Sequence, residues 1–136
     1  MIVLDASAVV EWLLRLPLAG VIDDRLADVD QGLHAPHLLT VEVAQVIRRY
    51  VARSELDLAR AEQALEDLAD LDVALHPHEP LLRSIWRLRE NLTAYDAAYV
   101  ALAEALDAPL LTLDARLAAA PGHVATIDLV RPLTVR

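Results

Sequence analysis

Ile2-Val3-Leu4-Asp5-Ala6-Ser7-Ala8-Val9-Val10 is the stretch that decides the fold class. Three apolar residues without alternation read as a strand covered on both faces. An acid closes the run, and apolar residues at helical spacing resume at once and continue past Trp12. A strand that hands directly to a helix is the opening unit of a parallel α/β sheet. The same device returns near the other end, where the run 110–113, apolar but for Thr112, reads as a buried strand, is closed by Asp114 and is followed by a short helix over 115–119.

Between these two units the periodicity predicts helices over 7–14, 18–30, 38–53, 57–70, 79–90 and 93–107, and strands over 33–35, 73–75 and 124–127. Residues 38–53 and 57–70 form an αα-hairpin, the second helix carrying a very acidic outer face. Residues 97–103 are apolar all round, so their helix belongs in the middle of the molecule. The expectation is one α/β domain over residues 1–136, with a central parallel sheet of four to five strands and helices on both faces. A chain of 136 residues has room for one core, and 56% hydrophobic residues without any Phe make it aliphatic.

Composition excludes several classes of protein. No apolar run approaches the ~18–20 residues of a membrane span, and the opening residues read as a strand with no basic leader, so a cytoplasmic protein is expected. With no Cys, disulfides and thiolate chemistry are absent. The formal charge of −9 disfavours a protein that coats nucleic acid by bulk electrostatics. All twelve cationic side chains are Arg, whose fork suits local phosphate contacts.

Four acids then stand out. Asp5 and Asp114 each follow a buried strand, at the rim where parallel sheets bind ligands. Asp96 sits in the first turn of the all-apolar helix, behind Thr93, and Glu42 in the first turn of the helix over 38–53. Each has a simpler structural explanation: Asp5 and Asp114 as helix N-caps, Thr93 and Asp96 as a capping pair, Glu42 as a solvated acid. Asp96, however, borders core residues and needs a partner. Glu42 shares its helix face with Gln45, Arg49 and Arg53, a polar and cationic stripe fit for a phosphate path. If the four converge, mutual repulsion of about 4 kcal/mol per close pair forces them to bind cations or take up protons. Oxygen-only ligands select Mg²⁺ or Mn²⁺.

The segments Leu4-Asp5-Ala6-Ser7-Ala8-Val9-Val10, Ala35-Pro36-His37-Leu38-Leu39-Thr40-Val41-Glu42-Val43, Tyr95-Asp96-Ala97-Ala98-Tyr99-Val100-Ala101-Leu102-Ala103 and Leu111-Thr112-Leu113-Asp114-Ala115-Arg116-Leu117 together resemble the PIN domain, in particular the VapC toxins of bacterial toxin–antitoxin pairs. The resemblance runs over essentially the whole chain. It implies an endoribonuclease using one or two Mg²⁺ or Mn²⁺ ions, usually dimeric and silenced by a cognate antitoxin. The family's acidic ligands carry over to Asp5, Glu42, Asp96 and Asp114, and its supporting hydroxyls to Ser7 and Thr112. Arg49, Arg53 and Arg116 are candidate phosphate contacts. Two departures bear on the site: Gln45 stands where many relatives have Asn, and Arg116 where some carry a further acid, which leaves the second metal open.

Other chemistries fit less well. A dehalogenase-type phosphatase needs a second acid within Asp5-Ala6-Ser7 and a site Lys, and the chain has neither. There is no Gly-rich Gly-Lys-Ser/Thr loop and no Gly-x-Ser-x-Gly elbow. His34 with His37, or His76 with His78, could be read as zinc pairs but lack a full ligand pattern. A catalytically idle PIN-like interaction module is the rival of a different kind. Under either reading an antitoxin would seat on the αα-hairpin and the early helices around Trp12, with an Arg of its tail reaching the carboxylates.

Overall fold

β1 (Ile2–Leu4) is flanked on both edges by other strands and covered on both faces, which is why all three of its residues are buried. The computed structural model describes residues 1–132. Its other strands are β2 (Leu33–Pro36), β3 (Val73–His76), β4 (Leu110–Thr112) and β5 (Ile127–Leu129). They form one sheet in the order β3-β2-β1-β4-β5, every pairing parallel.

Among the described residues seven α-helices complete the fold: α1 (Ala6–Leu13), α2 (Ala19–Leu26), α3 (Leu39–Ala52), α4 (Leu58–Asp70), α5 (Leu82–Arg87), α6 (Ala94–Leu106) and α7 (Ala115–Ala119). Helix α1 packs against α2, α3 and α4, while α5 packs on α6, which lies over β1, β2 and β4. Right-handed crossovers account for the two layers. The chain steps from β1 to β2 to β3 in one direction, then returns past them to β4 and β5 over the opposite face. The order therefore reverses beside β1. The crevice beyond the carboxyl ends of β1 and β4 is the topological switch point, where open α/β sheets bind their ligands.

The helix without a wet face behaves as its sequence demands: residues 97–103 of α6 are all buried. Three predicted elements differ in extent. The second helix stops at Leu26, and the segment over 79–90 divides into a 3-10 turn, Glu79–Leu81, and α5. The last strand is shifted from 124–127 to Ile127–Leu129. Its register against β4 pairs Leu110 with Ile127 and Thr112 with Leu129, which places Asp128 inside the strand. Asp128 is paired there with Arg25 of α2. Val124 is 87% exposed, its N–H donating to Glu104 Oε2.

Candidate active site

Asp5 leaves β1 and at once caps α1, Asp114 follows β4 and caps α7, and Thr93 caps α6 one turn before Asp96. The capping roles proposed by the sequence are thus real, and they are compatible with a site. A cap fixes the backbone of the acid while leaving oxygen atoms to face outward. Asp5, Glu42, Asp96 and Asp114 all line one open cavity of about 410 Å³, together with Ser7, Glu11, Arg49, Tyr50 and Tyr99. Four acids from four separate segments meet at the switch point.

Asp5 is the most enclosed of them, 6% exposed. Its Oδ1 accepts from the Ser7 hydroxyl at 2.7 Å and the Ala8 N–H at 3.0 Å, and its Oδ2 accepts from the Thr112 hydroxyl. Thr112, fully buried on β4, also accepts from the Asp114 N–H at 3.0 Å, and Ser7 Oγ accepts from the Leu113 N–H at 3.0 Å. Two hydroxyls therefore bolt the end of β1 to the end of β4. Burial pushes the Asp5 carboxyl above its ordinary range, Thr112, Ser7 and Ala8 pull it back, and the charge of Asp96 raises it again.

Glu42 projects from the first turn of α3 and accepts from the Tyr99 hydroxyl of α6 at 2.6 Å. Burial raises its pKa, the Tyr99 bond lowers it, and the charge of Asp96 raises it further. Asp96 is raised by burial and then by the charge of Asp114, against the pull of the Thr93 hydroxyl and of Arg116. Three acids of one cavity thus hold their protons more tightly than usual, and repulsion among carboxylates contributes in each case. A divalent cation held among them would relieve this repulsion. The donor chemistry, carboxylate and hydroxyl oxygen with no thiolate or imidazole among the lining residues, fits Mg²⁺ or Mn²⁺. The acids surround the cavity without closing on it: among the described residues no three acidic or imidazole groups already form a metal cage.

The three arginines separate. Arg49 lines the cavity; Arg116 lines a neighbouring one of about 250 Å³ that shares Asp96 and Asp114 as its wall. Arg53, at the C-cap of α3, is exposed and lines neither. Gln45 is likewise exposed and off the cavity. Glu11, which does line it, uses Oε2 to accept the Leu18 N–H at 2.8 Å and so ties the loop after α1. Tyr99 is the residue that sequence reasoning passed over. It reads as core, and at 1% exposure it is core, yet its hydroxyl reaches into the site. The available signal was that a buried Tyr hydroxyl requires a partner, and Tyr99 stands three residues from Asp96 on the same helix face.

A family model described as the PIN domain matches residues 2–122. The chain belongs to the PIN-domain family. Among PIN domains, it is 45% identical over 135 residues to Ribonuclease VapC1 of Mycobacterium tuberculosis, covering 95% of this chain and 97% of that one. The fold is shared with the crystal structure of PAE2754 from Pyrobaculum aerophilum, at a TM-score of 0.68 and 25% identity over 94% of this chain and 83% of that one. It is also shared with VapBC2 from Rickettsia felis bound to a DNA fragment from their promoter, at 0.67 and 14% identity, covering 95% and 98%. The residues matched to the PIN model include all four acids and both supporting hydroxyls.

Proposed function

We propose that the protein is a Mg²⁺- or Mn²⁺-dependent endoribonuclease toxin that hydrolyses RNA phosphodiester bonds and is held in check by a cognate antitoxin. The observation that carries this reading is the convergence of Asp5, Glu42, Asp96 and Asp114 on one open cavity at the switch point. Kinship with proteins named ribonuclease VapC supports the same class of reaction.

Asp5, Asp96 and Asp114 are the residues that would hold the cation, one ion or two. When bound, it supplies Lewis-acid polarisation of the phosphodiester and steadies the leaving oxygen. Asp5 is fixed for this by Ser7 and Thr112, which leave it no freedom to swing away. Glu42 faces the same cavity with a raised pKa and is oriented through Oε1 by Tyr99. Its carboxylate accepts the proton of the attacking water, general-base chemistry that works best when the base is poised near operating pH. Arg49 meets a substrate phosphate, and Arg116 stands on the far side of the Asp96–Asp114 wall.

The antitoxin is proposed from kinship with VapC proteins and from the surface itself. An apolar groove lined by Leu39, Leu68, Leu71, Val73 and Leu75 runs beside α3 and α4, on a chain whose formal charge of −9 suits a basic partner. Trp12 is partly covered and its indole N–H donates to Asp23 at 2.8 Å, so it contributes less to such a groove than its sequence suggests. A homodimer, a cytoplasmic setting and a single functional unit over all 136 residues complete the proposal. No helix of the described residues is long and apolar enough to cross a membrane.

The test is cleavage of a mixed RNA substrate with Mn²⁺, with a chelator, and with Asp5→Asn. Mn²⁺-dependent cutting lost in the variant supports the ribonuclease. Equal cutting by both proteins ends the proposal. Antitoxin binding with no cleavage under any metal condition favours the idle interaction module instead.

A further inference from the structure

Four of the chain's five histidines gather at the edge of the sheet, and none of them lines the carboxylate cavity. Among the described residues β3 is an edge strand paired with β2 alone, in a register that sets Pro36 beside His76. Residues two apart on a strand share a face, so His34 and His76 stand diagonally on one side of this ribbon. Their rings meet, His34 Nδ1 lying 2.9 Å from His76 Nε2. The other nitrogen of His34, Nε2, lies 2.9 Å from the carbonyl oxygen of Gln31. A carbonyl can only accept, so Nε2 carries a hydrogen, and in that neutral tautomer the Nδ1 lone pair faces His76. His37 and His78 follow at the ends of the same strands, edge to face at 5.9 Å. His78 is already engaged, its Nε2 accepting the Leu38 N–H at 3.0 Å.

A plain ring-to-ring hydrogen bond bracing an edge strand would explain the contact alone. Two further features also suit a cation. The separation, an ordinary hydrogen-bond length, is that of two nitrogens at about 90° to each other on one cation with bonds of about 2.1 Å, the angle of an octahedral or square-planar shell completed by water. The Gln31 carbonyl holds the distal nitrogen of His34 as the outer shell of a metal-bound histidine usually does. We propose that His34 and His76 together bind a borderline divalent cation of the Zn²⁺, Ni²⁺ or Cu²⁺ class, which takes the place of their hydrogen bond and clips β3 to β2.

Binding requires both rings neutral. Burial lowers the pKa of His76, and the nearby His34 and His37 lower it further, so that ring is held in its ligating form. The hydrogen on His76 Nε2 moves to Nδ1 of the same ring as the cation arrives, and no net proton is released from the neutral pair. With two protein ligands, water completes the shell, in keeping with the absence of any three-ligand group among the described residues. Nitrogen donors here and oxygen donors around Asp5 sort the ions: borderline metals at the sheet edge, Mg²⁺ or Mn²⁺ in the cavity.

The experiment is a calorimetric titration of tag-free protein with ZnCl₂ in excess Mg²⁺, run on the wild type, His34→Gln, His76→Gln and Asp5→Asn. One Zn²⁺ per chain is expected in the wild type and in Asp5→Asn, with affinity weakened at least about tenfold in either histidine variant. Imidazole ¹⁵N NMR of the wild type supplies a readout that needs no variant to fold: Zn²⁺ should shift His34 Nδ1 and His76 Nε2. No binding in the wild type, binding unchanged in both histidine variants, binding lost in Asp5→Asn, or shifts confined to His123 would each overturn the site.

Discussion

The Tyr99 hydroxyl donates to Glu42 Oε1 at 2.6 Å, joining the most buried helix of the fold to the one acid that projects from α3. Burial raises the Tyr99 pKa far above its usual value, and the Glu42 carboxylate raises it again, so the hydroxyl stays a donor at every working pH. Tyr99→Phe removes that donor and leaves the rest of the ring in place. A hydrogen bond to a charged group is worth about 1.5–3 kcal/mol, which corresponds to a loss of roughly ten- to a hundredfold in kcat. The bond also holds the Glu42 pKa down. Its loss should move the acid limb of the rate–pH profile to higher pH with little change in KM. A profile that falls uniformly without shifting would count for a merely structural Tyr99.

Asp96→Asn should kill turnover yet stabilise the metal-free protein. Asp5, Glu42 and Asp96 all bind protons more tightly in the folded state, burial being the first cause in each. From the ordinary carboxylate range near pH 4 up to these raised values, the folded protein therefore holds more protons than the unfolded chain. By linkage, this contribution to stability falls as pH rises through that window. Chelated wild type should lose urea resistance from these groups between acid and neutral pH. Asp96→Asn should show a smaller loss and a higher midpoint at pH 7, and Mg²⁺ should raise the midpoint of the wild type more than that of the variant. A variant less stable than the wild type without metal would mean that Asp96 serves α6 rather than a cation.

Thr112→Val tests the bolt between β1 and β4. The fully buried hydroxyl donates to Asp5 and accepts from the Asp114 N–H, so an isosteric methyl strands two polar groups at once. A cost of about 1–3 kcal/mol is expected from the buried Asp5 oxygen and less from the part-buried Asp114 N–H, seen in the urea midpoint. Calorimetry should show weaker Mg²⁺ binding as well, because Asp5 loses the partner that orients it. Full stability with full Mg²⁺ affinity would remove Thr112 from the supporting role.

The parts of this molecule that were legible in the sequence are those where local pattern and burial say the same thing. Ile2-Val3-Leu4 is apolar without alternation because it is covered on both faces, and 97–103 has no polar side because it has no wet side. Asp5 and Asp114 were legible because chain position after a buried strand also fixes the rim. What stayed hidden depends on register between distant segments. The shift of the last strand follows from Asp128, a charge inside a strand that is tolerated because Arg25 comes from α2 to meet it. The pairing of His34 with His76 required knowing that β3 runs beside β2 with Pro36 level with His76. Tyr99 hid for another reason: its ring satisfies the core pattern, and one atom at its tip belongs to the site.

Arg49 on α3 and Arg53 at its C-cap lie four residues apart, so helical spacing puts both on the Glu42 face, and sequence periodicity treats them alike. The fold separates them. Both side chains are exposed, but Arg49 lines the cavity, whereas Arg53 sits where the helix has already ended and lines no part of it. Arg49→Ala should weaken RNA binding across sequences and raise KM, because a phosphate contact positions without reading bases. It should also reduce the slope of log affinity against log salt by about 0.7, the share of one phosphate contact on a single strand. Arg53→Ala should leave both quantities unchanged. The contrast between the two variants matters more than either alone. Surface charge in general would weaken binding in both, whereas a phosphate held beside the carboxylates weakens it only where the guanidinium faces the cavity.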